Sequence, residues 1–239
     1  MVFVWALAFA GIIVAKLLGG WIPWIGGQSK AVAALLFLYL PSYYLRRRKE
    51  YVDDYAVPPW PWTSRIAAKQ FVKDVSWAGG VSILLFPLVF VGFFGFLDLL
   101  ELLPEEVHRY LAPYRLGSLG FTLRFPANLG LHVLDQFLVV ALPEEFFYRG
   151  YLQTRLSKAW GEGRVRLLGA QVGRAFWATQ VLFALGHLAE LHVWRLGVFF
   201  PALLFGWLRA RTGSIVPGII VHALSNLVIM TLEASVFGK

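Results

Sequence analysis

The sequence predicts an all-α, polytopic helical membrane protein of about seven transmembrane helices, with six and eight also open. Three observations predict it: 58% of the 239 residues are hydrophobic, 15% are charged, and the mean hydropathy is +0.63. A soluble domain carries roughly a quarter charged residues, so this chain has too little polar surface to stay in water as a globule. At ~20 apolar residues per span, its length holds the helices and their loops but no large soluble domain. Residues 1–239 therefore read as a single integral membrane domain.

Each span follows from an apolar run. The first, 2–18, lacks the basic flank that opens a cleavable signal peptide and is expected to be retained. The second, 31–45, is short, and the third covers 77–100. The stretch 101–128 mixes acidic, basic and aromatic residues with Pro104, Pro113 and Pro126, which predicts short surface helices. The fourth span is 129–148, and the seventh is 214–237. Between them, 175–191 and 193–208 nearly abut, which predicts a tight hairpin or a broken helix. No repeat or linker divides the chain.

The net charge of +8 would suggest nucleic acid for a soluble protein, but in a membrane protein the placement of the cations counts for more. No nucleic acid partner is expected. Fifteen Lys and Arg fall in 46–74, in 149–174 and at Arg209 and Arg211. The positive-inside rule makes that side cytoplasmic, with the N-terminus inside and, for seven spans, the C-terminus outside. Tyr43, Tyr44, Trp60 and Trp62 on one side, and Trp21 and Trp24 on the other, suit interfacial belts. With no cysteine, disulfides, a thiol nucleophile and thiolate metal sites are excluded. Chemistry is left to Glu, Asp, His, Ser and Asn.

Ionisable side chains within apolar spans are costly, so each is a functional candidate. Here they cluster in 129–237: Glu144, Glu145 and Arg149 at the end of the fourth span, His187 in the fifth, His222 and Asn226 in the seventh. Glu145 and Arg149 are i and i+4, acid first, and can pair. Glu144 points ~100° away from that face and is left free, facing an internal cavity. His222 and Asn226 share a helix face, from which both can donate to one oxygen. Phe183 and His187 share another, where the ring can restrict the imidazole. His132, Asp135 and Gln136, earlier in the fourth span, read as helix–helix hydrogen bonding sooner than as a proton path. His192 and Glu190 fall at a boundary in water, His108 in the outer loop, and Lys16 can snorkel.

A carboxylate and two imidazoles in a wet pocket support two chemistries. In one, Glu144, assisted by His187, takes a proton from a water that attacks a peptide carbonyl, while His222 and Asn226 donate to the developing oxyanion. In the other, Glu144, His187 and His222 hold a zinc ion that keeps a position open for water. His-Glu-x-x-His, Gly-x-Ser-x-Gly, Gly-x-Gly-Asp and the nucleotide-binding glycine motifs are all absent. A proton-coupled transporter using Glu144 and the histidines as relay is a further reading, although the internal repeat common in transporters is missing. A non-enzymatic immunity or scaffold protein is another.

The ordered set Glu144-Glu145-x-x-x-Arg149, Phe183-x-x-x-His187 and His222-x-x-x-Asn226, each on its own apolar segment, resembles the CPBP family of intramembrane proteases. These are related to CAAX prenyl endopeptidases and bacteriocin-processing or self-immunity proteins. The resemblance implies an all-α core with a site just below the cytoplasmic face of a prokaryotic plasma membrane. It implies cleavage near the C-terminus of a membrane-anchored protein or peptide, and some bacterial members, the myxosortase-like ones, process sorting tails. It favours the glutamate–water route with no cofactor. Glu144 and His187 would act on the water, His222 and Asn226 would form the oxyanion hole, and Glu145, Arg149 and Phe183 would support them. One expectation conflicts: Glu144 ends its span near the inner face, whereas His187 lies ~20 Å beyond Arg174 at 1.5 Å per residue.

Overall fold

The structure, a computed structural model, describes residues 2–104, 106–107, 120–190 and 192–238. Helix α1 (Val2–Trp21) turns through the short α2 (Pro23–Gly27) into α3 (Ser29–Arg47), and these pack as a hairpin. Arg46 and Arg47 in the last turn of α3 complement the negative end of its dipole. A turn of 3₁₀-helix at Val52–Tyr55 leads to α4 (Arg65–Glu101), started by Ser64, whose hydroxyl accepts from the Ala67 amide at 3.1 Å. At 37 residues α4 is ~55 Å long. It exceeds the hydrocarbon thickness and begins twelve residues before the expected third span.

The fourth span differs most from expectation. It continues without a break through Leu129–Leu134, Asp135–Ala141, Leu142–Glu145, Phe146–Leu152 and Gln153–Trp160, which together form α5. Asp135–Ala141 and Phe146–Leu152 are widened, π-type segments. The helix therefore ends at Trp160, not at Tyr148. Arg149, counted above among loop cations, is wholly buried.

A two-stranded antiparallel hairpin, β1 (Val165–Leu167) and β2 (Ala170–Val172), follows, with Val165 opposite Val172. No strand was expected there, because three-residue strands leave no periodic signal. Helix α6 (Arg174–His187) then leads through 3₁₀ turns at Leu188–Glu190 and Val193–Val198 into α7 (Phe199–Thr212). This is the broken connection predicted between the fifth and sixth spans. Helix α8 (Val216–Phe237) has proline in its first turn, where the missing amide hydrogen costs nothing. Much of 101–128, including His108, lies outside the described residues. Of its described part, 106–107 are helical, as expected, and 120–126 are irregular, and the Arg124 amide donates to Ser235 Oγ on α8 at 3.0 Å.

All seven apolar segments are thus helical. Among the described residues, Val2–Trp21, Arg65–Glu101, Val193–Thr212 and Val216–Phe237 are long and apolar enough to cross a membrane by themselves. One core joins α1, α3, α5 and α6 through Val4, Phe37, Phe147, Tyr151 and Phe183. Another joins α4, α7 and α8 through Ala78, Phe205, Leu208 and Val221. Helices α5 and α8 meet between these cores, and the polar groups of the chain collect there.

Candidate active site

Glu145 and Arg149, one turn apart on α5, are both fully buried. Arg149 Nη1 donates to Glu145 Oε1 at 2.9 Å, and Nη2 donates to Gln180 Oε1 at 3.1 Å and to the Ala202 carbonyl at 3.2 Å. The guanidinium carbon stands 4.2 Å from the centre of the Phe183 ring. A buried ion pair offsets its desolvation only when further hydrogen bonds satisfy both ions. Here α6 and α7 supply them. Gln180 is held in turn by the Phe176 carbonyl, to which its Nε2 donates at 3.0 Å. A Cβ at Gly206 on α7 would strike the Gln180 amide and push it from its place beside Arg149.

His222 on α8 meets the same carboxylate, its Nδ1 lying 3.0 Å from Glu145 Oε1. A carboxylate accepts and does not donate, so Nδ1 carries the hydrogen. The ring stacks on Phe205 at 4.7 Å and 14°, and Phe183 stands edge-on at 6.4 Å. Close approach of α8 to α5 depends on Gly218, where a Cβ would come within 3.0 Å of Glu145 Oε2. The other face of the imidazole edge looks toward Glu144: Nε2 is 4.0 Å from Oε2. That oxygen is buried and has no hydrogen-bond partner. Both glutamates keep a buried Oε2 without a hydrogen bond, but Glu145 is held at Oε1 by Arg149 and His222 and hemmed at Oε2 by Gly218, whereas Glu144 Oε2 faces an imidazole.

On α6, His187 lies over Phe183 with ring centres 4.6 Å apart, and its Nδ1 is 2.9 Å from the Phe183 carbonyl. A carbonyl only accepts, so Nδ1 is protonated and the neutral ring keeps its lone pair on Nε2. Phe183 is 2% exposed and touches Arg149, His187, His222 and Tyr148. Asn226, one turn beyond His222, donates from Nδ2 to Gln136 Oε1 at 2.8 Å.

The conflict over depth disappears with the true length of α5. Glu144 lies sixteen residues, ~24 Å, above Trp160, and His187 lies ~20 Å above Arg174. The two helices run side by side, Gln180 meeting Arg149 and Phe183 meeting Tyr148, so both groups reach the same level.

Gln136, Gln153, Gln180 and Phe205 were not singled out as site residues from the sequence. Gln180 carried a usable signal, being polar within an apolar run and three and seven residues before Phe183 and His187, on one helix face. Gln136 makes the helix–helix hydrogen bond expected of its region. Phe205 gave no signal among so many aromatics. Among the described residues no three His, Asp or Glu side chains are grouped to hold a metal ion.

These features define a class: a membrane protein with a buried ionisable cluster in which one carboxylate is left available. Residues 126–228 match the family model Rce1-like, described as type II CAAX prenyl endopeptidase Rce1-like. The match takes in all three motifs and bears out the CPBP/CAAX protease resemblance. It supports a membrane-embedded protease, an enzyme whose substrate is a peptide or protein. No curated protein and no solved structure matches the chain significantly.

Proposed function

We propose that this protein is a glutamate-dependent intramembrane endopeptidase that cleaves near the C-terminus of a membrane-anchored protein or peptide. The observation that carries the proposal is the buried Oε2 of Glu144, without a hydrogen-bond partner and 4.0 Å from His222 Nε2, beside a Glu145 whose Oε1 is held by both Arg149 and His222. Glu144 takes a proton from water as the water oxygen bonds to the substrate carbonyl carbon, and the lone pair on His187 Nε2 helps to orient that water. The carbonyl oxygen becomes an oxyanion, to which His222 Nε2 and Asn226 Nδ2 donate. When the C–N bond breaks, Glu144 returns its proton to the leaving amine. Because Nδ1 of His222 is committed to Glu145, Nε2 donates only in the imidazolium form. The Glu145 carboxylate compensates that charge, as a buried acid does for a catalytic histidine.

The test is Glu144→Gln, assayed with a farnesylated CAAX-type peptide in phosphatidylcholine vesicles. The expected result is no measurable cleavage with an unchanged melting temperature in detergent, and retained turnover would refute the role. Wild-type cleavage is expected to survive thorough chelation. Loss that zinc restores would transfer the water to a metal.

A further inference from the structure

We infer that Gln136 is a positioning residue that sets which end of the Asn226 carboxamide faces the reacting carbonyl oxygen, an assignment that rests on the protease reading above. Gln136 is 5% exposed and lies on α5 two turns before Glu144. Its Oε1 accepts from Asn226 Nδ2 at 2.8 Å, and its Nε2 donates to Asp135 Oδ2 at 3.2 Å. Lys30 Nζ, on α3, donates to the same Asp135 oxygen at 3.3 Å.

The polarity of this chain follows from donor and acceptor chemistry. An ammonium group can only donate and a carboxylate can only accept. Asp135 therefore takes the NH₂ end of Gln136, the carbonyl end of Gln136 faces Asn226, and Asn226 must present its own NH₂ end. One N–H of Asn226 is engaged by Gln136, and the other remains for a substrate oxygen. A reversed carboxamide would place Oδ1 there, an acceptor facing developing negative charge.

Helix geometry explains why Gln136 can reach. In a straight α-helix Gln136 and Glu144 would stand ~80° apart around the axis. A widened turn that takes up one extra residue brings them to within ~20°. Gln136 sits near the start of the π-type segment Asp135–Ala141, whose remainder separates it from Glu144, and both side chains meet α8, at Asn226 and His222.

Two measurements test the assignment. Asn128 and Asn226 are the two asparagines of the chain, and Asn128 is exposed, so asparagine ¹⁵N labelling in detergent micelles gives two distinguishable side-chain amides. The Asn226 amide hydrogens are expected to exchange at least ~10-fold faster in Gln136→Leu than in wild type, as befits a lost buried bond. They should stay protected in Gln136→Glu, whose carboxylate still accepts. Equal protection in wild type and Gln136→Leu overturns the bond.

With the farnesylated peptide, Gln136→Leu is expected to lower kcat about 10- to 100-fold, less than loss of a whole oxyanion donor, and to leave KM within about twofold. Gln136→Glu should recover part of the loss. Gln136→Leu combined with Asn226→Ala should be no slower than Asn226→Ala alone, since the two act as one unit. Multiplied losses in the double variant, or a change in KM alone, overturn the positioning role. A wild-type chain that leaves the peptide intact overturns the protease reading itself.

Discussion

At the scale of single residues, the deciding contrast is between neighbours. Glu144 and Glu145 are chemically identical, and the turn of one residue sends Glu145 to Arg149, His222 Nδ1 and the close face of Gly218, and leaves Glu144 facing His222 Nε2 at 4.0 Å with no hydrogen bond to its Oε2. Removing the cation from such a pair leaves a buried charge uncompensated. Arg149→Leu is therefore expected to cost about 3–5 kcal/mol in stability, read as a lowered melting temperature in detergent micelles. Arg149→Lys should rescue little, because an ammonium on a flexible stem cannot reproduce the planar fork that reaches Glu145, Gln180 and Ala202 together. The double variant Glu145→Gln/Arg149→Met should be more stable than Arg149→Leu. The opposite order would mean that the ion pair itself, and not its completeness, supports the fold. Gly218→Ala, which crowds Glu145 Oε2, should reduce turnover more than it reduces stability.

At the scale of elements, α5 carries the site because its two widened segments reset the helix face. Deleting Val139 alone would only straighten Asp135–Ala141 and keep the facing of Gln136, whereas deleting Leu138 and Val139 together would turn everything before them by ~100° and pull Gln136 off Asn226. Turnover should then fall to the level of Asn226→Ala, while the Arg149 network in the lower half of α5 stays intact. Normal activity in the double deletion would show that the register of the upper half is irrelevant. The lower half of α5 is tied to the loop after α3: Arg155 Nη1 donates to Glu50 at 2.7 and 2.9 Å, and the Tyr55 hydroxyl bonds the same carboxylate. Burial pushes the Glu50 carboxyl up, but the Tyr55 hydrogen bond and the Arg155 charge outweigh it and hold it below the usual range. Burial, then the bond to Glu50, pushes the Tyr55 hydroxyl up to about 12. A lowered carboxyl stabilises above its unfolded pKa of ~4.3 and loses that contribution as pH falls through the folded value. The Tyr55 contribution is present below ~10 and fades as pH rises through about 12. Melting temperature against pH should accordingly lose part of its acid-side drop in Glu50→Gln. Superimposable curves for the two proteins would refute the tie.

At the scale of the whole molecule, the surface is apolar. Ile83, Leu84, Leu88 and Val91 on α4 are all about two-thirds exposed or more, and Trp60 stacks on Trp62 in the basic loop at 4.9 Å. Such a face is stable against lipid and costly against water. With Arg149 withdrawn into the core, the remaining cations of 46–74, 161–174 and the end of α7 still gather at one end. Reporter fusions in the loop after α3 and in the β1–β2 hairpin should both read cytoplasmic, and a fusion after Gly238 should read external. The same side for all three would require an even number of crossings.

The membrane class, the seven helical segments and the three motifs were legible in the chain alone, because hydropathy and i, i+4 spacing are local properties. The pairing of Glu145 with Arg149 was legible for that reason, and so was the company of Phe183 and His187. Long-range packing settles which groups meet across helices: His222 on Glu145, Gln180 on Arg149, Gln136 on Asn226. It also decided that α5 runs on to Trp160, which brings Glu144 level with His187. Neither could be read beforehand, since a widened turn leaves no mark in the hydropathy pattern. A polar residue in an apolar run shows that it needs a partner, but the packing of distant helices chooses which one.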